Sequence, residues 1–189
     1  LVCWPTRVVF GEDSAPVALP PRSAFEYSAW HTLEHDSGIW IVSHKLALIG
    51  FGTVGRGLVE ILQQKRELLS DRFGYTPRVV AVSDVYHGSC HAPDGLDLGR
   101  LLGLVAEGGA EPGSLGRYSE TVCEWDSLQT ICRSGADVMV EVTLTNIETG
   151  EPAKSHCVAA FEAGSHVVTT NKGPVALAWR ELSELAASR

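Results

Sequence analysis

The sequence predicts an α/β fold, a doubly wound parallel sheet with helices on both faces. Short apolar runs of strand length alternate with longer segments of helical periodicity from Lys45 onward. Three spaced glycines in Gly50–Gly55 separate the first of these runs from the first helix. Polar or glycine-rich segments follow several of the runs. In a parallel sheet such segments converge on one edge, where ligands bind.

Composition fits one globular domain with a substantial core. The chain has 189 residues, of which 44% are hydrophobic and 20% charged. Its formal net charge is −8 and no basic face is evident, which disfavours binding to a phosphate backbone. No apolar run reaches the ~20 residues that span a bilayer. We therefore expect neither nucleic acid nor membrane as a partner.

The cysteine pattern favours free thiols. There are five cysteines, an odd number, and no pair has C-x-x-C spacing. Free thiols are typical of a reducing compartment, so we expect a cytoplasmic protein without a disulfide framework or zinc site. The cysteines are Cys3, Cys90, Cys123, Cys132 and Cys157.

Residues 1–43 differ from the rest and predict a loosely ordered N-terminal extension, with the domain proper over 44–189. The segment holds several prolines and three of the five tryptophans, without sustained periodicity. Within it, His31–His35 matches H-x-x-E-H, the inverted zinc-protease pattern. A zinc site built on this pattern requires a stable helix and a third ligand. Because the flanking residues carry no long apolar stripe, coincidence is favoured and no metal site is expected.

The glycine turn is the first candidate site. After a strand over about 45–50, Gly50 permits a tight turn, Gly52 lets backbone approach phosphates, and Gly55 lets helix pack against strand. A helix over about 54–70 follows, and its start offers unpaired N–H groups and a positive dipole end to an anion. The pattern predicts a Rossmann-type domain that binds a dinucleotide, NAD or NADP. The alternative is a related domain that has lost its ligand.

A second strand over 78–83 ends at Asp84. An acid at this position can accept hydrogen bonds from the adenosine ribose hydroxyls. Residues 86–95 predict a loop in which His87, Cys90 and His91 could hold a metal, although solvated loop residues are favoured.

The remaining elements continue the alternation, with polar segments Thr143–Asn146 and Asn171–Pro174 after the last two main strands. Pro152 suits the first turn of a helix, where its missing N–H has no helical partner to lose. We predict helices over 96–106, 125–133, 152–163 and 176–187, strands over 121–123, 137–142 and 166–170, and a glycine-rich connector over 108–116.

Two segments closely resemble homoserine dehydrogenases. They are Ala136–Pro152, with its Glu-Val-Thr-x-Thr-Asn sequence, and His166–Pro174, with Asn-Lys-x-Pro. The glycine turn, Ser83-Asp84 and Asp94–Leu98 agree with this family. The resemblance covers about 45–189 and not the first 43 residues.

The resemblance implies an NAD(P)-dependent oxidoreductase that interconverts L-homoserine and L-aspartate 4-semialdehyde by hydride transfer, in the biosynthesis of threonine and methionine. It implies a catalytic role for Lys172, whose charge could stabilise a carbonyl oxygen as it becomes an alkoxide. The glycine turn and Asp84, together with what the resemblance implies, give the following cofactor-binding residues: Gly50, Phe51, Gly52, Thr53, Val54, Gly55, Asp84, Thr143, Thr145, Asn146, Asn171 and Lys172.

The resemblance also implies a substrate-binding and dimerisation domain beyond Arg189. We therefore expect the cofactor-binding part of the enzyme, inactive alone and a homo-oligomer only with that further domain. A stand-alone or degenerate dinucleotide-binding module without catalysis remains an alternative. A third candidate, an aspartate dehydrogenase with the same N-terminal fold, is disfavoured by the segment Glu148–Pro152. No arginine directly follows Asp84, so NAD is expected in preference to NADP, or both are used.

Overall fold

A computed structural model describes residues 2–4, 31–34, 40–107, 111–118 and 123–189. They form a six-stranded mixed sheet, a separate two-stranded sheet, six helices and a short 3₁₀ helix. The strands are β1 Val2–Trp4, β2 His31–Glu34, β3 Trp40–Ser43, β4 Lys45–Ile49, β5 Arg78–Asp84, β6 Gly88–His91, β7 Val138–Glu141 and β8 His166–Thr169. The helices are α1 Thr53–Gln64, α2 Arg66–Phe73, α3 Leu98–Glu107, α4 Ser127–Arg133, α5 Ala153–Glu162 and α6 Lys172–Ala187, with the 3₁₀ helix at Ser114–Tyr118.

The six-stranded sheet has the order β1-β8-β7-β4-β5-β6. Strands β4, β5, β7 and β8 are parallel, and the two edge strands β1 and β6 are antiparallel to their neighbours. From β4 the chain moves outward to β5 and β6, then returns to the other side of β4 as β7. The strand order therefore reverses between β4 and β7, the switch point at which such sheets bind ligands.

Two apolar clusters fill the faces of the sheet. One packs α1 and α3 against β4 and β5, with Leu48, Val59 and Leu101 fully buried. The other packs α4, α5 and α6 against β7 and β8, with Met139 and Leu182 fully buried. This arrangement confirms the predicted doubly wound α/β fold with helices on both faces.

Several predicted elements were wrong in detail. The predicted loop over 86–95 contains β6, which pairs with β5. The single helix predicted over 54–70 is two helices that meet at Lys65, whose φ of −102° and ψ of 12° leave the helical region. The apolar side chains of Ile61 and Leu68 are 57% and 45% exposed. Helix α2 has no buried residue in this structure.

Helix boundaries also moved. Helix α6 begins at Lys172 rather than 176, so the predicted loop Asn171–Pro174 is its N-terminal turn. Helix α4 begins at Ser127 because the Asp126 side chain caps it. Of the strand predicted over 121–123, residues 121 and 122 lie outside the described residues, and Cys123 forms one antiparallel bridge with Ser89. Of the connector predicted over 108–116, residues 108–110 lie outside them as well.

The predicted extension contains three of the strands. Strand β1 pairs with β8, and β2 pairs with β3 as a separate antiparallel sheet. The rest of residues 1–39 lies outside the described residues, so a domain boundary at 43/44 stays a prediction. Residues His31–Glu34 of the H-x-x-E-H pattern form a strand instead of the required helix, and His35 is not described.

The residues that the structure describes contain neither a metal-binding cluster nor a membrane-spanning helix. No cluster of three or more histidine, cysteine, aspartate or glutamate side chains is arranged to hold a metal ion there. In the same part of the chain, no helix has the length and apolar character that a membrane crossing requires.

Candidate cofactor-binding site

The three glycines of the turn after β4 have different roles. Gly50 has a φ of +101°, and a Cβ there would lie 2.8 Å from the carbonyl carbon and oxygen of Val142. A Cβ on Gly55 would lie 2.4 Å from the carbonyl oxygen of Gly50. A Cβ on Gly52 would meet no heavy atom within 4 Å. The fold thus requires Gly50 and Gly55, whereas Gly52 faces open space in which a ligand could approach the backbone.

Helix α1 begins at this open space. Gly52 is its extended N-cap residue, and no side chain caps the helix. The side chains of Thr53 and Val54 are exposed. The N–H groups of the first helical turn have no partner within the helix, so this end can offer hydrogen bonds and a favourable dipole to a phosphate group.

Phe51 contributes to the turn from within the protein. Its side chain is fully buried in the apolar cluster beneath α1. Its backbone N–H donates a hydrogen bond of 2.8 Å to Oδ2 of Asp84. Phe51 therefore presents neither its ring nor its N–H to a cofactor, which leaves its carbonyl as the group able to make the predicted contact.

Asp84 is half-buried and connects two turns. Its Oδ2 accepts from Phe51, and its Oδ1 accepts from the backbone N–H groups of Tyr86 and His87, both at 2.9 Å. Burial alone would raise the pKa of Asp84, but these three donors and the nearby His87 imidazole outweigh burial and lower it. A carboxylate accepts about four hydrogen bonds, so Asp84 keeps capacity for one ribose hydroxyl.

The other half of the site is built around Glu141, the last residue of β7. Its side chain is fully buried. Oε1 accepts from the backbone N–H of Thr143 at 3.1 Å and from the Thr143 hydroxyl. Oε2 accepts from the Thr169 hydroxyl at 3.0 Å and from the side-chain amide of Asn171. The sequence motifs indicated no role for Glu141, although its position as the acid that ends an apolar strand within Glu-Val-Thr-x-Thr-Asn was a signal.

Asn171 joins the two family-specific segments. Its Nδ2 donates to the carbonyl oxygen of Thr143 at 2.9 Å as well as to Glu141. Its own backbone N–H donates to Oγ1 of Thr169 at 3.0 Å. The loop after β7 and the start of α6 are therefore held together, as their places at strand ends predicted.

Thr145 and Asn146 have separate roles in the loop. The buried Oγ1 of Thr145 has no hydrogen-bond partner in this structure, and a Cβ on Gly173 would lie 2.6 Å from Cγ2 of Thr145. Oδ1 of Asn146 accepts from the backbone N–H groups of Glu148 at 2.8 Å and Thr149 at 3.1 Å. The side-chain oxygen of Asn146 is therefore used by its own turn, and the buried Thr145 Oγ1 keeps unused hydrogen-bonding capacity.

Lys172 is exposed and is the first residue of α6. It follows β8 directly after Thr170 and Asn171, so it lies at the same sheet edge as the glycine turn, Asp84 and Thr143. The structure thus places every predicted site residue at the carboxyl edge of the parallel strands. His87, Cys90 and His91 do not form a further site there: Cys90 is buried, and the His87 Nδ1 lies 3.0 Å from the Ser114 hydroxyl oxygen.

A glycine turn, an uncapped helix start and an acid at the end of the second parallel strand define the class as a dinucleotide-binding domain of an oxidoreductase. The family model described as "Homoserine dehydrogenase, NAD binding domain" matches residues 50–189. The chain belongs to the homoserine dehydrogenase family and contains its NAD-binding domain. The predicted family and cofactor class are confirmed.

Known relatives agree with this assignment. The chain is 40% identical over 146 residues to the NAD(+)-dependent homoserine dehydrogenase of Pseudomonas canavaninivorans, covering 77% of this chain and 40% of that protein. It is 39% identical over 141 residues to the homoserine dehydrogenase of Methanocaldococcus jannaschii, covering 75% of this chain and 40% of that protein. The chain thus spans about 40% of the length of these curated relatives.

Solved structures show the same fold. A putative homoserine dehydrogenase from Archaeoglobus fulgidus superposes with a TM-score of 0.62 at 28% identity, covering 77% of this chain and 39% of that one. A hyperthermophilic archaeal homoserine dehydrogenase mutant in complex with NADPH gives a TM-score of 0.63 at 26% identity, covering 77% and 41%.

Proposed function

We propose that this chain is the cofactor-binding part of an NAD(P)-dependent enzyme that interconverts L-homoserine and L-aspartate 4-semialdehyde. The observation that carries the proposal is the convergence of the uncapped start of α1 with the hydrogen-bonded Thr143 and Asn171 segments at one sheet edge. The names of the relatives support the reaction. The small-molecule substrates, a homo-oligomer formed through a further domain and a cytoplasmic location stay predictions from the sequence.

The binding mode follows from the groups that remain available. The pyrophosphate would lie against Gly52 and the first-turn N–H groups of Thr53 and Val54. The adenosine ribose would use the remaining acceptor capacity of Asp84. The nicotinamide half would lie on the Thr143 side, where Thr145 Oγ1 is unpaired.

Lys172 is the proposed catalytic residue of this half-site. When bound, the nicotinamide cofactor supplies the hydride acceptor or donor. The exposed Lys172 ammonium beside Asn171 would hold positive charge near the substrate oxygen, which stabilises an alkoxide relative to a carbonyl. The residue thus fits an electrostatic role without a proton transfer of its own.

The residues after Asp84 favour NAD over NADP. A 2′-phosphate would meet the Asp84 carboxylate, and like charges repel at short range. Val85 and Tyr86, which follow it, are exposed and carry no positive charge. The family name alone does not determine this preference, since one relative is named as NAD(+)-dependent and a similar structure contains NADPH.

Calorimetric titration of the purified 189-residue chain with NADH and NADPH tests the proposal. We expect both to bind, NADH more tightly, with negligible oxidation of homoserine. If neither cofactor gives a heat of binding or a change in fluorescence, the cofactor-binding role is contradicted. Substantial turnover of homoserine would contradict the proposal that this chain supplies only the cofactor half of the site.

A further inference from the structure

Glu141 is a fully buried carboxylate that the proposed binding mode leaves without a ligand contact. Burying an ionised carboxylate is costly unless hydrogen bonds replace its water. Burial alone would raise the pKa of Glu141, but contacts with His156, Thr143 and Asn171 outweigh it and lower the pKa. The group is therefore ionised at neutral pH, and its acceptor capacity is directed at specific donors.

The donors to Glu141 come from two separate segments. Thr143 belongs to the loop after β7, whereas Thr169 and Asn171 belong to the end of β8 and the N-cap of α6. From the α5 side, Nδ1 of the buried His156 lies 3.6 Å from Oε1 and has no hydrogen-bond partner. One carboxylate thus sets the separation between the Thr143 loop and the helix start that carries Lys172.

The adenosine side of the edge has its own anchor. Asp84 connects the glycine turn to the β5–β6 turn through Phe51, Tyr86 and His87. Within the part of the chain that the structure describes, the side-chain hydrogen bonds of Glu141 do not reach these residues. Those of Asp84 do not reach the Thr143 or Asn171 segments. The two halves of the candidate site are therefore organised by two different carboxylates.

We propose that Glu141 is a positioning residue for the nicotinamide half of the cofactor site: it acts through Thr143 and Asn171 and leaves the adenosine half to Asp84. This inference rests on the proposed cofactor-binding function. Loss of the Glu141 acceptors would release Thr143 and Asn171, and hence Thr145 and Lys172, while the glycine turn stays in place.

Glu141→Gln is the direct test. The side chain keeps its shape, but one acceptor oxygen becomes an NH₂ group that faces donors. The measurement compares the affinity of the 189-residue chain for NADH with that for ADP-ribose, which lacks the nicotinamide. We expect NADH to bind about tenfold more weakly, the scale of one lost charged hydrogen bond, and ADP-ribose to bind within about twofold. The fluorescence of bound NADH should shift toward that of free NADH.

Two further variants keep the test decisive. Glu148→Gln makes the same chemical change at an exposed position in the same loop and should leave both affinities unchanged. Thr169→Val keeps the buried shape but removes the donor to Glu141 and the acceptor for the Asn171 N–H. It should lower the affinity for NADH relative to that for ADP-ribose, as Glu141→Gln does. It replaces Glu141→Gln in the test if circular dichroism shows that Glu141→Gln is unfolded.

The outcomes separate the two proposals. If the unchanged chain binds neither ligand, the proposed function fails. If it binds both and the folded Glu141→Gln and Thr169→Val variants keep the same affinity ratio, the role of Glu141 is refuted while the proposed function stands. An equal loss of both affinities would show a general structural role and would also refute the inference.

Discussion

At the scale of single residues, substitutions at Gly55 and Gly52 distinguish an effect on folding from an effect on cofactor binding. Alanine in a helix interior gains about 1 kcal/mol over glycine, but at Gly55 the added Cβ would lie 2.4 Å from the Gly50 carbonyl oxygen. We expect Gly55→Ala to lower the free energy of unfolding by about 2 to 4 kcal/mol, because a backbone atom must move. Urea denaturation followed by circular dichroism measures this loss.

Gly52→Ala is the matched variant. Its Cβ meets nothing within 4 Å and its φ is −77°, so the unfolding free energy should change by less than about 1 kcal/mol. The methyl group would occupy the space over the start of α1, so NADH affinity should fall about tenfold. Normal NADH binding by Gly52→Ala would show that the cofactor does not approach this backbone.

Asp84 and Glu141 make stability depend on pH. Both pKa values are lowered in the folded protein, from usual values of 3.8 and 4.5. Their stabilisation is therefore complete above those usual values and is lost as pH falls through the lower folded values, because the unfolded chain takes up the protons first. We expect the free energy of unfolding to decrease below about pH 4.5.

Urea denaturation between pH 3 and 7 checks this expectation. The decrease should be smaller in Glu141→Gln, which cannot take up the proton. An equal decrease in the variant and the unchanged protein would contradict a stabilising role for the ionised Glu141 carboxylate.

At the scale of elements, the main strands could be predicted because apolar runs are local signals. The carboxyl-edge segments could be predicted because they directly follow those runs. Strand β6 could not, since Gly88-Ser89-Cys90-His91 lacks apolar alternation and is a strand through its pairing with β5. The start of α6 was missed because Gly173 and Pro174 suggest a turn. The internal hydrogen bonds of Phe51 and Asn146 depend on long-range or turn geometry that residue type does not specify.

Helix α4 offers a test of a local element. Asp126 Oδ1 accepts from the Gln129 backbone N–H at 2.7 Å, and Gln129 Oε1 accepts from the Asp126 N–H at 3.2 Å. This capping box satisfies two groups that the helix start leaves unpaired. Asp126→Ala should lower the free energy of unfolding by about 1 kcal/mol. The exposed neighbour Glu124, changed to Ala, should have a smaller effect, and equal losses would contradict the capping role.

At the scale of the whole molecule, burial makes some cysteine thiols less reactive than others. Burial raises the pKa of Cys90 and Cys157 to about 12, whereas Cys132 is exposed. The thiolate is the reactive form. Alkylation at pH 8 with peptide mapping by mass spectrometry should modify Cys132 early, and Cys90 and Cys157 only as the protein unfolds. Early modification of Cys157 would contradict the packing between α5 and the sheet.

The pairing of β1 with β8 has a consequence for how the chain is made. Val2 lies opposite Thr169, so β1 pairs with a strand that is synthesised much later. At 5 to 20 residues per second, synthesis separates them by on the order of 10 to 30 seconds. During that interval β4, β5 and β7 can assemble around the nucleotide edge without β1. Pairing of β1 therefore has to wait until β8 has been synthesised.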